Sequence, residues 1–232
     1  MHLKQISIHH DRFPTRSAYP FNLPLLQKTH KLVFKPVTIF IGENGSGKST
    51  LLKAICRRCG IHIWEGETRN RFEQNPYDEA LHYALDAEWQ HYKVPGSFFS
   101  PELFRNYTQL VDEWAISSPG ILKHYGGDSL VTKSHGQSCM AYFRSIYQVK
   151  GLYFLDEPEA ALSPKTQLEL LSLLEEMSDR GHAQFVISTH SPLLMSLKHA
   201  ELLNFDAPGI EPVAFKDTQH FKVYKSFFDA FE

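Results

Sequence analysis

The apolar run Val37-Thr38-Ile39-Phe40-Ile41 breaks at Gly42-Glu43-Asn44-Gly45-Ser46-Gly47-Lys48-Ser49, and a stretch carrying Leu51, Leu52 and Ile55 follows at once. No other feature constrains the fold as tightly as this junction. An uninterrupted apolar and β-branched run suits a strand buried on both faces, as in a parallel sheet. The glycines let the backbone curl so that successive N–H groups face one anion, and the helix start that follows adds its partial positive charge. The spacing matches G-x-x-x-x-G-K-[ST] in the strand–loop–helix context that this phosphate-binding loop requires. Lys48 is expected at the β- and γ-phosphates of a nucleotide, and the Ser49 hydroxyl at Mg²⁺.

Similar runs recur along the chain. Leu3–Ile8 reads as a strand, followed by a loop with Pro14, Pro20 and Pro24. Gly151–Leu155 and Gln184–Ser188 read as buried strands. Between them lies a helix capped by Ser163, with Pro164 in its first turn and Leu168, Leu171, Leu174 and Met177 as its apolar stripe. Gly181 follows its end. Strand, helix and strand make a crossover unit, so the fold class is α/β with a mostly parallel core sheet and antiparallel strands near the N-terminus. At 232 residues the chain suits one domain: a nucleotide core of 1–65 and 133–232 and an inserted, mainly helical subdomain over 66–132, a stretch rich in Tyr, Trp, Asn and His. The tail from Pro208 alternates Phe with Lys and is expected to pack on the core.

Leu152-Tyr153-Phe154-Leu155-Asp156-Glu157 is an apolar strand ending in two acids. A parallel strand adjacent to the phosphate loop would deliver Asp156 to the carboxyl edge, where it holds Mg²⁺ through water. Glu157 would face the γ-phosphate and orient or deprotonate the attacking water.

With these residues in view, the chain resembles the ABC-type ATPases. Asp156-Glu157-Pro158-Glu159 with Ala161-Leu162-Ser163-Pro164 resembles their Walker B and D-loop. Ser188-Thr189-His190-Ser191 resembles their switch-histidine segment, and Ser134-His135-Gly136-Gln137 their signature motif. All four elements stand in the family's order, and GENGSGKST with DEPEAALSP is similar to its small non-transporter "predicted ATPase" branch.

The resemblance implies ATP held by Gly42, Glu43, Asn44, Gly45, Ser46, Gly47, Lys48, Ser49 and Thr50, with Mg²⁺ as cofactor. It implies that Glu157, His190 and Lys48 are catalytic, with His190 sensing the γ-phosphate. Ser134 and Gly136 match the positions that reach the nucleotide of a second subunit, which implies a head-to-tail homodimer around two ATP molecules. A helix starting near Gln137 would aim its positive end there. By the same resemblance a Q-loop residue follows a strand near the insertion, and Glu102, after Ser97-Phe98-Phe99, is the candidate third Mg²⁺ ligand. An aromatic among Phe13, Tyr19 and Phe21 is the candidate adenine platform. The sequence departs from the family at Lys133 and His135, where the signature has Leu and Gly, at Ser163 in place of Asp, and at Glu159 in place of Thr.

Composition bounds the role. Twenty-four basic against twenty-six acidic residues leave a net charge of −2, so no global basic field points to nucleic acid. No apolar run approaches the roughly 18 residues of a spanning helix, and the three cysteines are too few for a disulfide framework, so a cytoplasmic protein is expected. Cys56-x-x-Cys59-x-x-His62 lies largely on the helix after the phosphate loop and lacks a fourth ligand, so it is read as packing. Three settings for an ATPase remain: a unit coupled to a protein partner, the ATPase subunit of a membrane transporter, and a DNA-repair or chromosome-associated ATPase.

Overall fold

The computed structural model describes residues 1–65, 75–125 and 127–231; the start of the expected insertion, 66–74, and Gly126 lie outside them. The elements run β1 (Leu3–Ile8), α1 (Pro24–Lys28), β2 (Lys31–Val33), β3 (Val37–Ile41), α2 (Lys48–Arg58), β4 (Leu85–Trp89), β5 (Gly96–Phe99), α3 (Pro101–Ser117), α4 (His135–Ile146), β6 (Gly151–Asp156), α5 (Pro164–Asp179), β7 (Ala183–Ser188), α6 (Pro192–Met195), β8 (Glu201–Asn204), β9 (Glu211–Val213) and α7 (Gln219–Asp229).

A six-stranded sheet in the order β5-β6-β7-β3-β8-β9 forms the centre. Its first five strands are parallel, and β9 pairs antiparallel with β8 at the edge. Every residue of β3, β6 and β7 is buried, which is why their sequences lack polar alternation. Alternate side chains serve two cores. Leu152, Phe154 and Val186 face α2, whose Leu51, Leu52 and Ile55 pack beneath them. Tyr153, Leu155, Phe185 and Ile187 face the opposite way, onto α3, α4 and α5.

A second sheet, β2-β1-β4, is antiparallel and covers the far side of α2. One buried side chain ties the two sheets together. Gln184, the second residue of β7, accepts from the backbone N–H groups of His2 and Leu3 with Oε1, both at 2.7 Å. Its Nε2 donates to the carbonyls of Leu3 at 2.9 Å and Lys35 at 3.0 Å. A lone amide in an apolar strand would be costly to bury; here it satisfies backbone groups from two neighbouring segments.

Several expectations need correction. The stretch 66–132 is not a helical insertion throughout: β4 pairs with β1, and β5 is the edge strand of the main sheet beside β6. Among the described residues the helical segments there are the 3₁₀ turns Ala80–Ala84 and Pro119–Tyr125 and helix α3, so the core reclaims the segment up to Phe99. Their strand sequences are short and mixed, which hid them from a search for apolar runs. In α5 the buried residues are Leu170, Leu174 and Met177, while Leu168 is half exposed. The stripe is set by where the sheet lies, and a register of three or four fits either set of leucines. The tail is only partly packed: α7 buries none of its residues and exposes Val223, Tyr224, Phe227 and Phe228.

Replacing Gln184 by Leu preserves volume but orphans two buried N–H donors, which cost about 1–3 kcal/mol each. Gln184→Leu is therefore expected to lower unfolding free energy by roughly 2–5 kcal/mol in urea titration. An unchanged midpoint would mean that the two sheets do not depend on this residue.

Candidate active site

β3 ends at Ile41 and the chain turns through Gly42 (φ +146°), Gly45 (φ +80°) and Gly47 (φ +97°) before α2 begins at Lys48. Gly47 caps the helix in a left-handed conformation, and a Cβ there would lie 2.7 Å from Leu23 Cδ1. The dihedral demands glycine, while the contact with the Leu23 side chain could be relieved by a rotamer change. Lys48 folds across the loop, donating to the carbonyls of Gly42 at 2.7 Å and Glu43 at 2.8 Å. Burial holds its ammonium below the usual lysine range, opposed by the nearby carboxylates of Glu157, Asp206, Asp156 and Glu43. Asp206, just beyond β8, accepts from Glu43 N–H at 2.7 Å and braces the loop's entry.

Asp156 closes β6 and is buried. Ser49 Oγ donates to its Oδ1 at 2.8 Å. The expected adjacency of the two strands is corrected, because β7 lies between β3 and β6. Contact is still made because the loop carries Ser49 past the end of β3 onto the first turn of α2, which packs on β6 and β7. Desolvation pushes the Asp156 carboxyl above its ordinary range, with the Ser49 hydrogen bond opposing it. The donor set is a hydroxyl and a carboxylate, hard oxygens of the kind Mg²⁺ takes.

Glu157 follows in a left-handed conformation (φ +47°, ψ +51°). For a residue with a Cβ this costs about 1–2 kcal/mol. The bend is held by Glu157 N–H donating to Ser188 O at 2.8 Å, and it turns the carboxylate out toward His190. Oε1 lies 3.6 Å from His190 Nε2. Strain kept at such a position is a mark of function. His190 follows β7, and its Nε2 is buried with no hydrogen-bond partner among the described residues. Burial first and Lys48 second hold its imidazole below the usual histidine range, against the opposing charge of Glu157.

Glu159, read from the sequence only as a departure from the family, proves central. Its Oε1 accepts from the backbone N–H of His190 at 2.5 Å, fixing that segment. Desolvation raises its carboxyl, with the His190 N–H opposing it. His220, on α7, places Nε2 3.3 Å from His190 Nδ1. Nothing in the sequence pointed to Asp206 or His220, whose partners lie 163 and 30 positions away.

The remaining candidates fall as follows. Glu102 lies in the first turn of α3, exposed, and among the described residues no hydrogen bond or ion pair joins it to Ser49 or Asp156. Of the three aromatics, Phe21 is fully buried and packs at a tilt against Phe13, whereas the Tyr19 hydroxyl hydrogen-bonds Thr50 Oγ1 beside the loop. Ser134 caps α4, which starts at His135, two residues before the expected Gln137, in a capping box with Gln137. Ser134, Gly136 and Ser163 share one cleft of about 920 Å³. Cys56 and Cys59 are buried, and Cys56 donates to Ile61 O.

A family profile described as "AAA domain, putative AbiEii toxin, Type IV TA system" matches residues 137–196, and another described as "AAA domain" matches 21–70. The chain is 31% identical over 163 residues to the thiamine import ATP-binding protein ThiQ of Ruegeria sp. (strain TM1040), covering 66% of this chain and 69% of that one. It is 28% identical over 192 residues to the manganese transport system ATP-binding protein MntB of Halalkalibacterium halodurans, covering 75% and 74%. Among solved structures, the ADP conformation of MJ1267, an ATP-binding cassette of an ABC transporter, superposes with a TM-score of 0.55 at 15% identity, over 97% of this chain and 99% of that one. No helix among the described residues is long and apolar enough to cross a membrane.

The buried Glu159 carboxyl has a testable consequence. Its folded-state affinity for a proton exceeds that in the unfolded chain, so its contribution to stability falls as pH rises above the ordinary glutamate range. Glu159→Gln removes that contribution. Its urea midpoint relative to the parent should be higher at pH 7.5 than at pH 4.5; an equal offset at both would contradict the assignment. Glycine loop, paired acids, the histidine after β7, shared fold and relatives agree, and the chain belongs to the ABC-type P-loop ATPases.

Proposed function

We propose that this protein binds Mg-ATP, closes into a head-to-tail homodimer around two nucleotides, and hydrolyses them to drive a change in a protein partner. One observation carries the reading: the Ser49–Asp156 hydrogen bond and the Glu157–His190 pair converge at the mouth of the glycine loop. The loop from Gly42 to Gly47, with the N–H groups of Lys48, Ser49 and Thr50, cradles the phosphates. Lys48 exchanges its two carbonyl partners for β- and γ-oxygens. Ser49, and Asp156 through water, would hold Mg²⁺, which when bound neutralises charge on those oxygens. Tyr19, at Thr50, is the aromatic best situated for the nucleoside.

Glu157 accepts a proton from the attacking water as its oxygen bonds to the γ-phosphorus. The bridging P–O bond to the β-phosphate breaks, and ADP and phosphate leave. His190 donates through Nε2 to the γ-phosphate and keeps Glu157 oriented, so catalysis is positioning and charge stabilisation. The second subunit supplies Ser134 and Gly136 to complete the site. The cleft that unites them with Ser163 supports this pairing of signature and D-loop. A cytoplasmic location fits the need for ATP. Glu102 is proposed at most as a residue near the site's rim.

Glu157→Gln should retain ATP affinity, lose hydrolysis by at least about a hundredfold, and accumulate as a dimer with ATP in light scattering. Lys48→Ala should lose ATP binding in titration. Hydrolysis at the parental rate by Glu157→Gln would overturn the reading. Gly136 tests the dimer separately: a Cβ there meets nothing nearer than Ala161 O at 3.5 Å. Gly136→Asp, in the first turn of α4, should therefore leave the monomer folded while blocking the ATP-dependent dimer.

The names of the relatives favour one partner class, since those proteins are transport-system ATP-binding proteins. A pull-down with Glu157→Gln and ATP tests it: a membrane permease among the captured proteins supports transport, and capture of only non-membrane partners opposes it.

A further inference from the structure

His190 is held at two points that family resemblance does not supply. Glu159 fixes its backbone N–H, and His220 meets its ring. His220 is itself fixed locally. Thr218 is buried and caps α7, accepting from Phe221 N–H at 3.1 Å and donating to Phe215 O at 2.8 Å. The Phe221 ring packs on Phe215 with centroids 5.1 Å apart. The first turn of α7 is thus anchored although the rest of the helix is exposed, and the anchored turn is the one that carries His220.

The ring nitrogens of His190 face groups of different character. Nε2 looks toward Glu157, 3.6 Å away, and toward the phosphate site in front of Lys48. Carboxylate and phosphate oxygens only accept, so a productive Nε2 must carry the proton. In a neutral imidazole Nδ1 is then the acceptor, and the group facing it must donate. The sole group that the described residues set against Nδ1 is His220 Nε2, at 3.3 Å.

We propose that His220 is a positioning residue for ATP hydrolysis, donating Nε2–H to His190 Nδ1 and so keeping the His190 proton on Nε2, where it meets the γ-phosphate and Glu157. The inference rests on the ATPase reading above. Burial and the neighbouring Lys48 keep His190 neutral near pH 7, the state in which the choice of tautomer matters. Partners that orient a metal-ligating histidine through its other nitrogen change activity by about 10–100-fold when removed, and an effect at the lower end of that range is expected for His190.

The test compares His220→Phe, which keeps a ring but no donor, with His220→Gln, whose amide donates at similar reach. Long-range ¹H–¹⁵N spectra of the ¹⁵N-histidine-labelled full chain, with His190 assigned by its loss in His190→Ala, should show the proton on Nε2. His220→Phe should mix the two tautomers and lower ATP turnover about tenfold at unchanged ATP affinity, while His220→Gln restores the Nε2–H form and most of the rate. A parent spectrum with the proton on Nδ1, or unchanged turnover in His220→Phe, would overturn the inference. The spectrum needs no hydrolysis, so it judges His220 even where Glu157→Gln has overturned the reading beneath it. Loss of turnover in Glu157→Gln with none in His220→Phe defeats the His220 inference alone.

Discussion

The hydrogen bond between Ser49 and Asp156 joins the glycine loop to the end of a strand that is not its neighbour. Everything at the site depends on that span. β7 lies between β3 and β6, so the sheet must hold three parallel strands in register for two oxygen atoms to meet at 2.8 Å. The same arrangement brings the segment after β7 between the two, which is why His190 arrives beside Glu157. A strand order with β3 and β6 side by side would bring the acids to the loop but leave the switch segment outside.

Charge at this edge is concentrated and only partly compensated. Lys48 sits among Glu43, Asp156, Glu157 and Asp206, while burial disfavours both its ammonium and the carboxylates of Asp156 and Glu159. In the proposed reading, groups held in this manner interact strongly with an incoming phosphate and its cation, because little water must be displaced or reoriented. The left-handed Glu157 adds a small conformational cost in the same place. The surrounding core bears these costs: the strands beneath are completely buried, and the amide of Gln184 locks the N-terminal sheet over α2.

Much of this was legible in the residues. Val37–Ile41 followed by the glycine run specifies strand, loop and helix locally, since each step has its own backbone chemistry. Gly151–Leu155 and Gln184–Ser188 read as buried strands because their runs are almost wholly apolar. Less legible were β4 and β5, with Asp86, Glu88 and Ser97 in their runs. They become strands by pairing with β1 and β6, and pairing partners are not encoded in a short run. The stripe of α5 was misread by position because leucines stand on more than one side, and only the location of the sheet selects among them.

What the sequence by itself determined is the set of groups available: a glycine loop, a lysine and a serine at the helix start, two acids at a strand end, and a histidine in a Ser-Thr-His-Ser setting. Those follow from residue type and local spacing, which backbone sterics and hydrogen bonding convert directly into turns and helix starts. Only the tertiary structure decided which side chains hold that chemistry in place. Glu159 reaches His190 N–H, Asp206 braces Glu43, and His220 meets the His190 ring across separations that no local rule spans. Such contacts exist because packing brings distant segments together, and a hydrogen bond a few ångströms long depends on where the whole fold places its two ends.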